Sequence, residues 1–219
     1  MPAGLTARPT MRCPKPDDVR RAVDAYNRQP GCGDADAELW TGTAVARGLI
    51  LRSDNRPDMP KEVAGYVEAI RLWGEIQGVS RDDYARAAEA LWSGPVRSRI
   101  RELKKSTILT APLGVMVGLE EAVVRGMLTA GIAKKHYSWA SKMLHFLLPA
   151  TVPIYDSRVR AHLKTTQGID AYRVIAQTAR ACVGKLVAQE AEIVGVVEPT
   201  TLLRAIDKFY WWEETQEES

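Results

Sequence analysis

Cysteine is scarce in this chain of 219 residues, where Cys13, Cys32 and Cys182 are the only three. They are too few and too widely spaced for a disulfide framework, and no two of them have the C-x-x-C spacing of redox and zinc sites. Three cysteines also cannot supply the four thiolates of an iron–sulfur cluster. We therefore expect neither a metal ion nor a cofactor.

Long apolar runs are missing as well. No stretch reaches the roughly 20 apolar residues that a membrane span requires, and the opening MPAGLTARPT contains no apolar leader. The apolar fraction of 46% and the charged fraction of 26% are ordinary for a globular protein. These features predict a soluble, cytoplasmic monomer that does not bind membranes. Its length suits one large domain, or two interlocked lobes that share a cleft.

No stretch alternates apolar and polar residues for long, so strands are not expected. Helical patterns are present instead: the segment SRDDYARAAEALW begins with Ser80 and Asp83 at capping-box spacing. In the segment KEVAGYVEAIRLWGEI, one helical face carries the apolar residues Val63, Tyr66, Val67, Ile70 and Trp73. Similar patterns extend over most of the chain, which predicts an all-α fold.

The net charge of +3 is mild, but its distribution along the chain is uneven. Residues 122–169 contain seven Lys or Arg and a single acid, Asp156, whereas the remainder contains 23 bases and 26 acids. A concentrated basic segment is the electrostatic signature of a protein that binds phosphate groups, such as those of nucleic acids. An ordinary solvated surface is the alternative interpretation of the same charges.

Two consecutive helices are predicted inside the basic segment. The stretch YSWASKMLHFLL has an apolar stripe that should face the core and comprises Trp139, Met143, Phe146 and Leu147. A separate polar stripe comprises Ser138, Lys142 and His145. The connection PATVPIYD then leads to Asp156 at the start of the next helix. A helical hairpin would therefore present Ser138, Lys142 and Asp156 to the same space.

Each of these residues also has an ordinary structural interpretation. Lys142 suits a solvent-facing helix position, His145 suits the core or the surface, and Asp156 suits a helix N-cap that accepts backbone N–H bonds. The two interpretations of Asp156 are compatible, because a carboxylate at a helix N-terminus can be held ionised and still face a cleft.

The stretch PIYDSRVRAHL resembles the segment that carries the essential aspartate in the helix-hairpin-helix DNA glycosylase superfamily. Adenine glycosylases of that superfamily have Pro-Ile-Leu-Asp-Gly-Asn-Val followed by a basic helix. The longer phrase SWASKMLHFL…VPIYDSRV is similar to bacterial proteins described as 8-oxoguanine-glycosylase-like. The similarity covers about residues 130–163, under a fifth of the chain. It implies a two-lobed helical bundle of the glycosylase type, a single domain over residues 1–219 with lobes on either side of a cleft near residues 131–163.

The resemblance implies that the protein removes a damaged or modified base from double-stranded DNA after the nucleotide has flipped out of the helix. Asp156 would stabilise the positive charge that develops on the sugar, and Lys142 is the second catalytic candidate. The candidate DNA contacts are Lys134, Lys135, His136, Ser138, Arg158 and Arg160. The candidates for the base pocket are Tyr137, Trp139 and Tyr155, each of which also suits a hydrophobic core.

Two departures from the family pattern concern the mechanism. The family hairpin Leu-Pro-Gly-Val-Gly binds phosphate through backbone N–H groups, whereas AGIAKKHYS here would shift that contact to the side chains of Lys134 and Lys135. Counted back without gaps from Asp156, the Schiff-base lysine of bifunctional members falls on Ser138, and Lys142 lies one helical turn further along. The enzyme would be monofunctional, or a differently spaced loop would let Lys142 act as the nucleophile.

Two other functions fit the same sequence. One is a DNA-binding module that has kept the hairpin and lost the chemistry, and the other is a helical interaction protein whose basic segment meets an acidic partner. Formation of abasic sites would separate a glycosylase from both, and salt-dependent DNA binding without product would indicate the first. The sequence does not specify which base is excised, nor whether the role is base excision repair or defence against foreign DNA with modified bases.

Overall fold

The computed structural model describes residues 13–52, 58–188 and 202–217, and in these ranges the chain forms eleven helices and no strand. The helices are α1 (Pro16–Arg28), α2 (Cys32–Gly42), α3 (Ala44–Arg52), α4 (Lys61–Trp73), α5 (Arg81–Trp92), α6 (Gly94–Leu103), α7 (Leu113–Thr129), α8 (Tyr137–Leu147), α9 (Ser157–His162), α10 (Ile169–Ala188) and α11 (Leu202–Glu217). The prediction of an all-α fold is confirmed. Within the same ranges, none of the helices is long and apolar enough to cross a lipid bilayer.

The capping box predicted for α5 is present. The Ser80 hydroxyl accepts a hydrogen bond from the backbone N–H of Asp83 over 3.3 Å, and the Asp83 carboxylate accepts one from the backbone N–H of Ser80 over 2.7 Å. These reciprocal bonds satisfy backbone donors that a helix N-terminus otherwise leaves unpaired, and such a cap contributes about 1 kcal/mol. The helix therefore begins where the sequence predicts.

α8 packs against α3, α4 and α7. The four residues of its predicted apolar stripe, Trp139, Met143, Phe146 and Leu147, are all buried. The Tyr66 hydroxyl of α4 also donates a hydrogen bond to the backbone carbonyl of Met143. Burial of each large apolar side chain stabilises the fold by about 1.5–3 kcal/mol. α8 is therefore a firmly held support for the polar residues on its other face.

Residues 130–136 connect α7 to α8 and include the run that replaces the glycine-rich hairpin. Gly131 has φ of +94°, a left-handed conformation that favours glycine, and its backbone N–H donates to the carbonyl of Leu128 over 3.0 Å. Lys134 and Lys135 follow, and both are exposed. The connection thus carries two solvent-facing lysines immediately before α8.

The first and last described helices, α1 and α11, pack against each other. Tyr26 of α1 meets the Trp211 ring of α11 edge-on, with 5.3 Å between the ring centroids. Just before α1, Cys13 forms a disulfide with Cys182 of α10, and their Cα atoms are 5.0 Å apart. The sequence does not predict this single bridge, because its two ends are separated by 169 residues.

Candidate active site

A cleft of about 990 Å³ lies where α8 and the start of α9 face the end of α4 and one side of α11. Sites for small molecules commonly enclose about 300–1,000 Å³, so the space suits a nucleotide-sized ligand. The charged side chains that line it are Glu75, Lys142, Asp156, Arg158, Arg160, Arg204 and Asp207. Basic groups outnumber acidic ones in this lining, which favours an anionic ligand.

Lys142 and Asp156 form an ion pair inside the cleft. The Lys142 Nζ atom lies 3.1 Å from Asp156 Oδ2 and donates a hydrogen bond to the Gly74 carbonyl over 3.2 Å. The side chains are 9% and 25% exposed, so the lysine is nearly enclosed whereas the carboxylate keeps access to the cleft. Ser138, one turn before Lys142 on α8, lines the same cleft. The three residues of the predicted hairpin therefore face one space.

Asp156 is also the N-cap of α9. Its Oδ1 atom accepts a hydrogen bond from the backbone N–H of Arg158 over 2.9 Å. Burial opposes ionisation of this carboxyl, but the Lys142 ammonium and the Arg158 N–H outweigh it and hold the pKa of Asp156 below its ordinary value. The cleft therefore contains a carboxylate that stays charged although it is largely withdrawn from water.

Two hydrogen bonds fix the connection that brings Asp156 to this place. The Ser141 hydroxyl accepts from the backbone N–H of Tyr155 over 2.8 Å. His145 Nδ1 lies 2.7 Å from the Val152 carbonyl, and burial lowers the pKa of His145 to about 4, so its neutral ring donates this bond. His145 is thus buried in the fold instead of continuing the polar stripe into the cleft.

The predicted DNA contacts separate into two groups. Arg158 and Arg160 line the cleft, whereas the exposed Lys134 and Lys135 are outside its lining. His136 is half-buried against the Trp139 ring, with 6.0 Å between centroids. Burial lowers the pKa of His136, which favours its neutral ring over the positively charged one.

The structure brings one of the three residues of the predicted base pocket to the cleft. Trp139 is fully buried and packs against the Tyr84 ring, so it has no surface that a base could contact. Tyr137 is half-buried outside the cleft lining and packs against Tyr155, with 5.6 Å between centroids. Tyr155 does line the cleft, but it is mostly buried and its hydroxyl accepts a hydrogen bond from the Gly168 N–H over 3.1 Å.

Three other aromatic side chains, Tyr26, Trp73 and Trp211, are half-buried in the lining of the cleft. The sequence pattern assigns Trp73 to the core face of α4, yet Trp73 is the last residue of that helix and reaches the cleft. Its indole N–H donates to Asp36 Oδ1 over 3.0 Å. The available signal is an aromatic residue at the end of a helix, as in LWG, or a run of aromatics within one, as in FYWW.

A buried charge cluster supports the α11 side of the cleft. Arg204 Nη2 lies 3.1 Å from Asp36 Oδ1 and donates to the Tyr26 hydroxyl over 2.7 Å, while Arg204 Nη1 forms an ion pair with Asp207. Lys208 pairs with Asp36 Oδ2 over 3.2 Å. Burial opposes ionisation of Asp36, but Arg204 and Lys208 outweigh it and lower its pKa. Asp36 is therefore compensated by two bases, whereas Asp207 shares Arg204 with Asp36.

The described part of the chain contains no group of three or more His, Cys, Asp or Glu residues that could hold a metal ion. The cleft lining presents carboxylates, an amine, guanidinium groups and aromatic rings. Comparisons of the chain with protein-family models, with curated proteins and with solved structures found no match.

Proposed function

We propose that this protein is a DNA glycosylase that cleaves the N-glycosidic bond of a damaged or modified base flipped out of double-stranded DNA. The observation that carries the proposal is the Asp156 carboxylate, held ionised beside Lys142 in a cleft of nucleotide size. The resemblance of PIYDSRVRAHL to the aspartate segment of helix-hairpin-helix glycosylases supports the same function. The proposed role is base excision, in repair or in defence against modified foreign DNA.

Cleavage of an N-glycosidic bond needs a fixed negative charge near the sugar. As the bond between C1′ and the base nitrogen lengthens, positive charge develops on the deoxyribose, and Asp156 would stabilise it. Water then adds its oxygen to C1′ and gives a proton to the Asp156 carboxylate. Because Lys142 and the Arg158 N–H hold Asp156 in place before substrate arrives, the charge needs no reorganisation during the reaction.

Lys142 acts in this proposal as a cation and not as a nucleophile. Its ammonium donates to Asp156 and to the Gly74 carbonyl, and it lies 5.8 Å from the centroid of the Trp73 ring. In the ion pair with Asp156 the ammonium has no lone pair with which to attack C1′. The enzyme would therefore release the base and leave the sugar–phosphate backbone uncut.

The exposed basic residues provide a surface for phosphate groups. Lys134 and Lys135 immediately precede α8, whose residue Ser138 lines the cleft, and Arg158 is exposed in the cleft lining itself. Contacts of this kind position DNA without reading its sequence. In this proposal they hold the phosphates on either side of the flipped nucleotide.

The test is a panel of duplexes, each with one modified base, incubated with the protein and then treated with alkali to reveal abasic sites. We expect alkali-dependent strand breaks with at least one duplex, and no breaks with the Asp156→Asn variant. Wild-type protein that binds every duplex in a salt-dependent way but forms no abasic site would instead indicate the non-catalytic DNA-binding module.

The role of Lys142 is tested by borohydride. A lysine nucleophile would form an imine with the sugar, which borohydride reduces to a stable protein–DNA adduct. We expect no adduct under conditions in which the base is released. An adduct that forms with wild-type protein and disappears in Lys142→Ala would overturn the monofunctional mechanism and assign Lys142 as the nucleophile.

A further inference from the structure

The cleft contains a second carboxyl group that the sequence pattern does not single out. Asp207 of α11 lines the cleft together with Asp156 and Lys142, and its side chain is 12% exposed. Asp207 also lines an adjoining pocket with apolar walls that include Val159 and Ile206. It therefore stands between a polar cleft and an apolar recess.

Asp207 is held firmly in that position. Its Oδ2 atom pairs with Arg204 Nη1, and Arg204 is itself anchored by Asp36 and by the Tyr26 hydroxyl. The cleft around Asp207 also contains the half-buried rings of Tyr26, Trp73 and Trp211. The Arg204 guanidinium lies 4.9 Å from the centroids of the first two rings, and Arg158 lies 5.6 Å from that of Trp211.

The electrostatic surroundings shift the pKa values of the two carboxyl groups of the cleft in opposite directions. Burial raises the pKa of Asp207 and the Asp156 carboxylate raises it further, although Arg204 and Lys142 oppose the shift. The other charged or titratable groups that act on Asp207 are Asp36, Lys208 and Tyr26. The pKa of Asp156 is shifted in the opposite direction, below its ordinary value. When the environments of two acids in one site shift their pKa values in opposite directions, one is expected to act as a carboxylate and the other as a proton donor.

We propose that Asp207 is the acid that protonates the departing base while Asp156 stabilises the sugar. This inference rests on the proposed glycosylase function and assigns it a substrate class. The bond between C1′ and the base nitrogen breaks, and its electron pair stays with the base. The Asp207 carboxyl gives its proton to a ring nitrogen or an exocyclic oxygen of that base. Water adds to C1′ and loses a proton to Asp156, and solvent then returns one proton from Asp156 to Asp207.

An acid in this position matters only for bases that leave poorly. A neutral base departs as an anion unless it is protonated, so its release needs the proton from Asp207. An alkylated purine such as N7-methylguanine already carries positive charge on its ring and leaves without a proton donor. The substrate class assigned here is therefore a neutral modified base, with Asp207 dispensable for cationic ones.

The experiment compares single-turnover base release by wild type and Asp207→Asn from duplexes with neutral modified bases and from a duplex with N7-methylguanine, between pH 5 and pH 9. We expect Asp207→Asn to slow release of neutral bases by about 100-fold or more, the usual contribution of a positioned acid. Release of N7-methylguanine should change less than about threefold. The decline of the wild-type rate as pH rises should disappear in the variant.

Asp36 provides the matched control. It pairs with the same Arg204 as Asp207 and is even more buried, but it is outside the cleft lining. Asp36→Asn should disturb the ion pairing as much as Asp207→Asn but keep the decline of the rate with rising pH, displaced to lower pH because the Asp36 charge raises the pKa of Asp207. If Asp207→Asn does not fold, Asp207→Glu tests the role of Asp207 instead. This variant retains an acid and should keep activity with a displaced pH profile.

Three outcomes separate this inference from the proposed function. Wild-type rates and pH profile in Asp207→Asn, with Asp156→Asn inactive, would overturn the role of Asp207 and leave the glycosylase function standing. If Asp36→Asn and Asp207→Asn lose base release equally, or if the pH profile of Asp207→Glu is that of wild type, then Asp207 acts only as an ion-pair partner of Arg204. Release of no base by wild type would overturn both proposals.

Discussion

Asp156 in the cleft and Glu120 in the helical core are both acids that lie largely out of water, and they differ in their partners. Asp156 has the Lys142 ammonium and a backbone N–H, whereas neither carboxyl oxygen of the fully buried Glu120 has a hydrogen-bond partner among the described residues. The pKa of Asp156 is accordingly lowered, while burial raises the pKa of Glu120 well above its ordinary value. A buried acid alone does not mark a functional site, so the proposal for Asp156 depends on the cation and the open cleft beside it.

The largest effect should follow from removing the charge in the cleft. Asp156→Asn keeps the shape and the capping oxygen, since asparagine is also a good N-cap, but cannot stabilise a developing cation. We expect base release to fall by about 100- to 1,000-fold, or about 3–4 kcal/mol of barrier, with DNA affinity unchanged or higher. Quantitative release assays and binding titrations measure the two effects.

Asp82→Asn is the control for that substitution. Asp82 is an exposed aspartate in the first turn of α5 and is outside the cleft lining. Its replacement should leave base release unaltered. Near-wild-type turnover of Asp156→Asn on a substrate that wild type processes would remove Asp156 from the catalytic role.

The next largest effect concerns Glu120 and appears in stability instead of activity. Its pKa is higher in the folded than in the unfolded protein, so the folded state binds more protons. The free energy of unfolding should therefore be highest below about pH 4.5 and decline as the pH rises from there towards the folded pKa. Glu120→Gln should lose this decline and be more stable than wild type at pH 8, by about 1–3 kcal/mol.

Urea denaturation of wild type and Glu120→Gln at several pH values measures that difference. Base release by Glu120→Gln should remain that of wild type, because Glu120 is outside the cleft lining. A wild-type protein whose stability rises between pH 5 and pH 8 relative to the variant would contradict the prediction and indicate a partner that keeps Glu120 ionised.

A smaller effect is expected at the exposed lysines before α8. Lys134→Glu combined with Lys135→Glu should weaken binding to all DNA sequences about tenfold or more at low salt. Each lost phosphate contact should remove about 0.9 from the slope of log affinity against log salt. Lys61→Glu, an exposed lysine at the start of α4 and outside the cleft lining, is the control. An unchanged slope in the double variant would mean that DNA binds to another surface of the protein.

The smallest effect tests how Lys142 is held. A Cβ atom at Gly74 would lie 2.9 Å from Lys142 Cδ, so Gly74→Ala should displace the ammonium from Asp156. We expect base release to fall about fivefold, because the flexible lysine can partly readjust, whereas larger misplacements cost about 100-fold. Gly65→Ala, where the new Cβ meets nothing within 4 Å, should have no effect on base release. Equal rates in the two variants would mean that Gly74 does not position Lys142.

Local features of the site are predictable from the sequence, and distant ones are not. The buried stripe of α8 and the capping role of Asp156 depend on residues within two turns of each other. Trp73 packs against the core, as its position on the apolar face of α4 indicates, but helical periodicity does not show that it also reaches the cleft. Asp207 and Tyr26 reach the cleft only through tertiary packing of helices that are far apart in the chain. Periodicity contains no information about such pairings.

The packing of α1 against α11 has a consequence for the order in which the protein is made. Lys142 and Asp156 are close in sequence and can meet as soon as α8 and α9 have left the ribosome. Arg204, Asp207 and Trp211 belong to α11 and must be synthesised before they can join Tyr26 in the cleft. A nascent chain without α11 therefore has the carboxylate proposed to be catalytic but lacks the side of the cleft that contains Asp207 and Trp211. Activity would begin only when translation of this helix is complete.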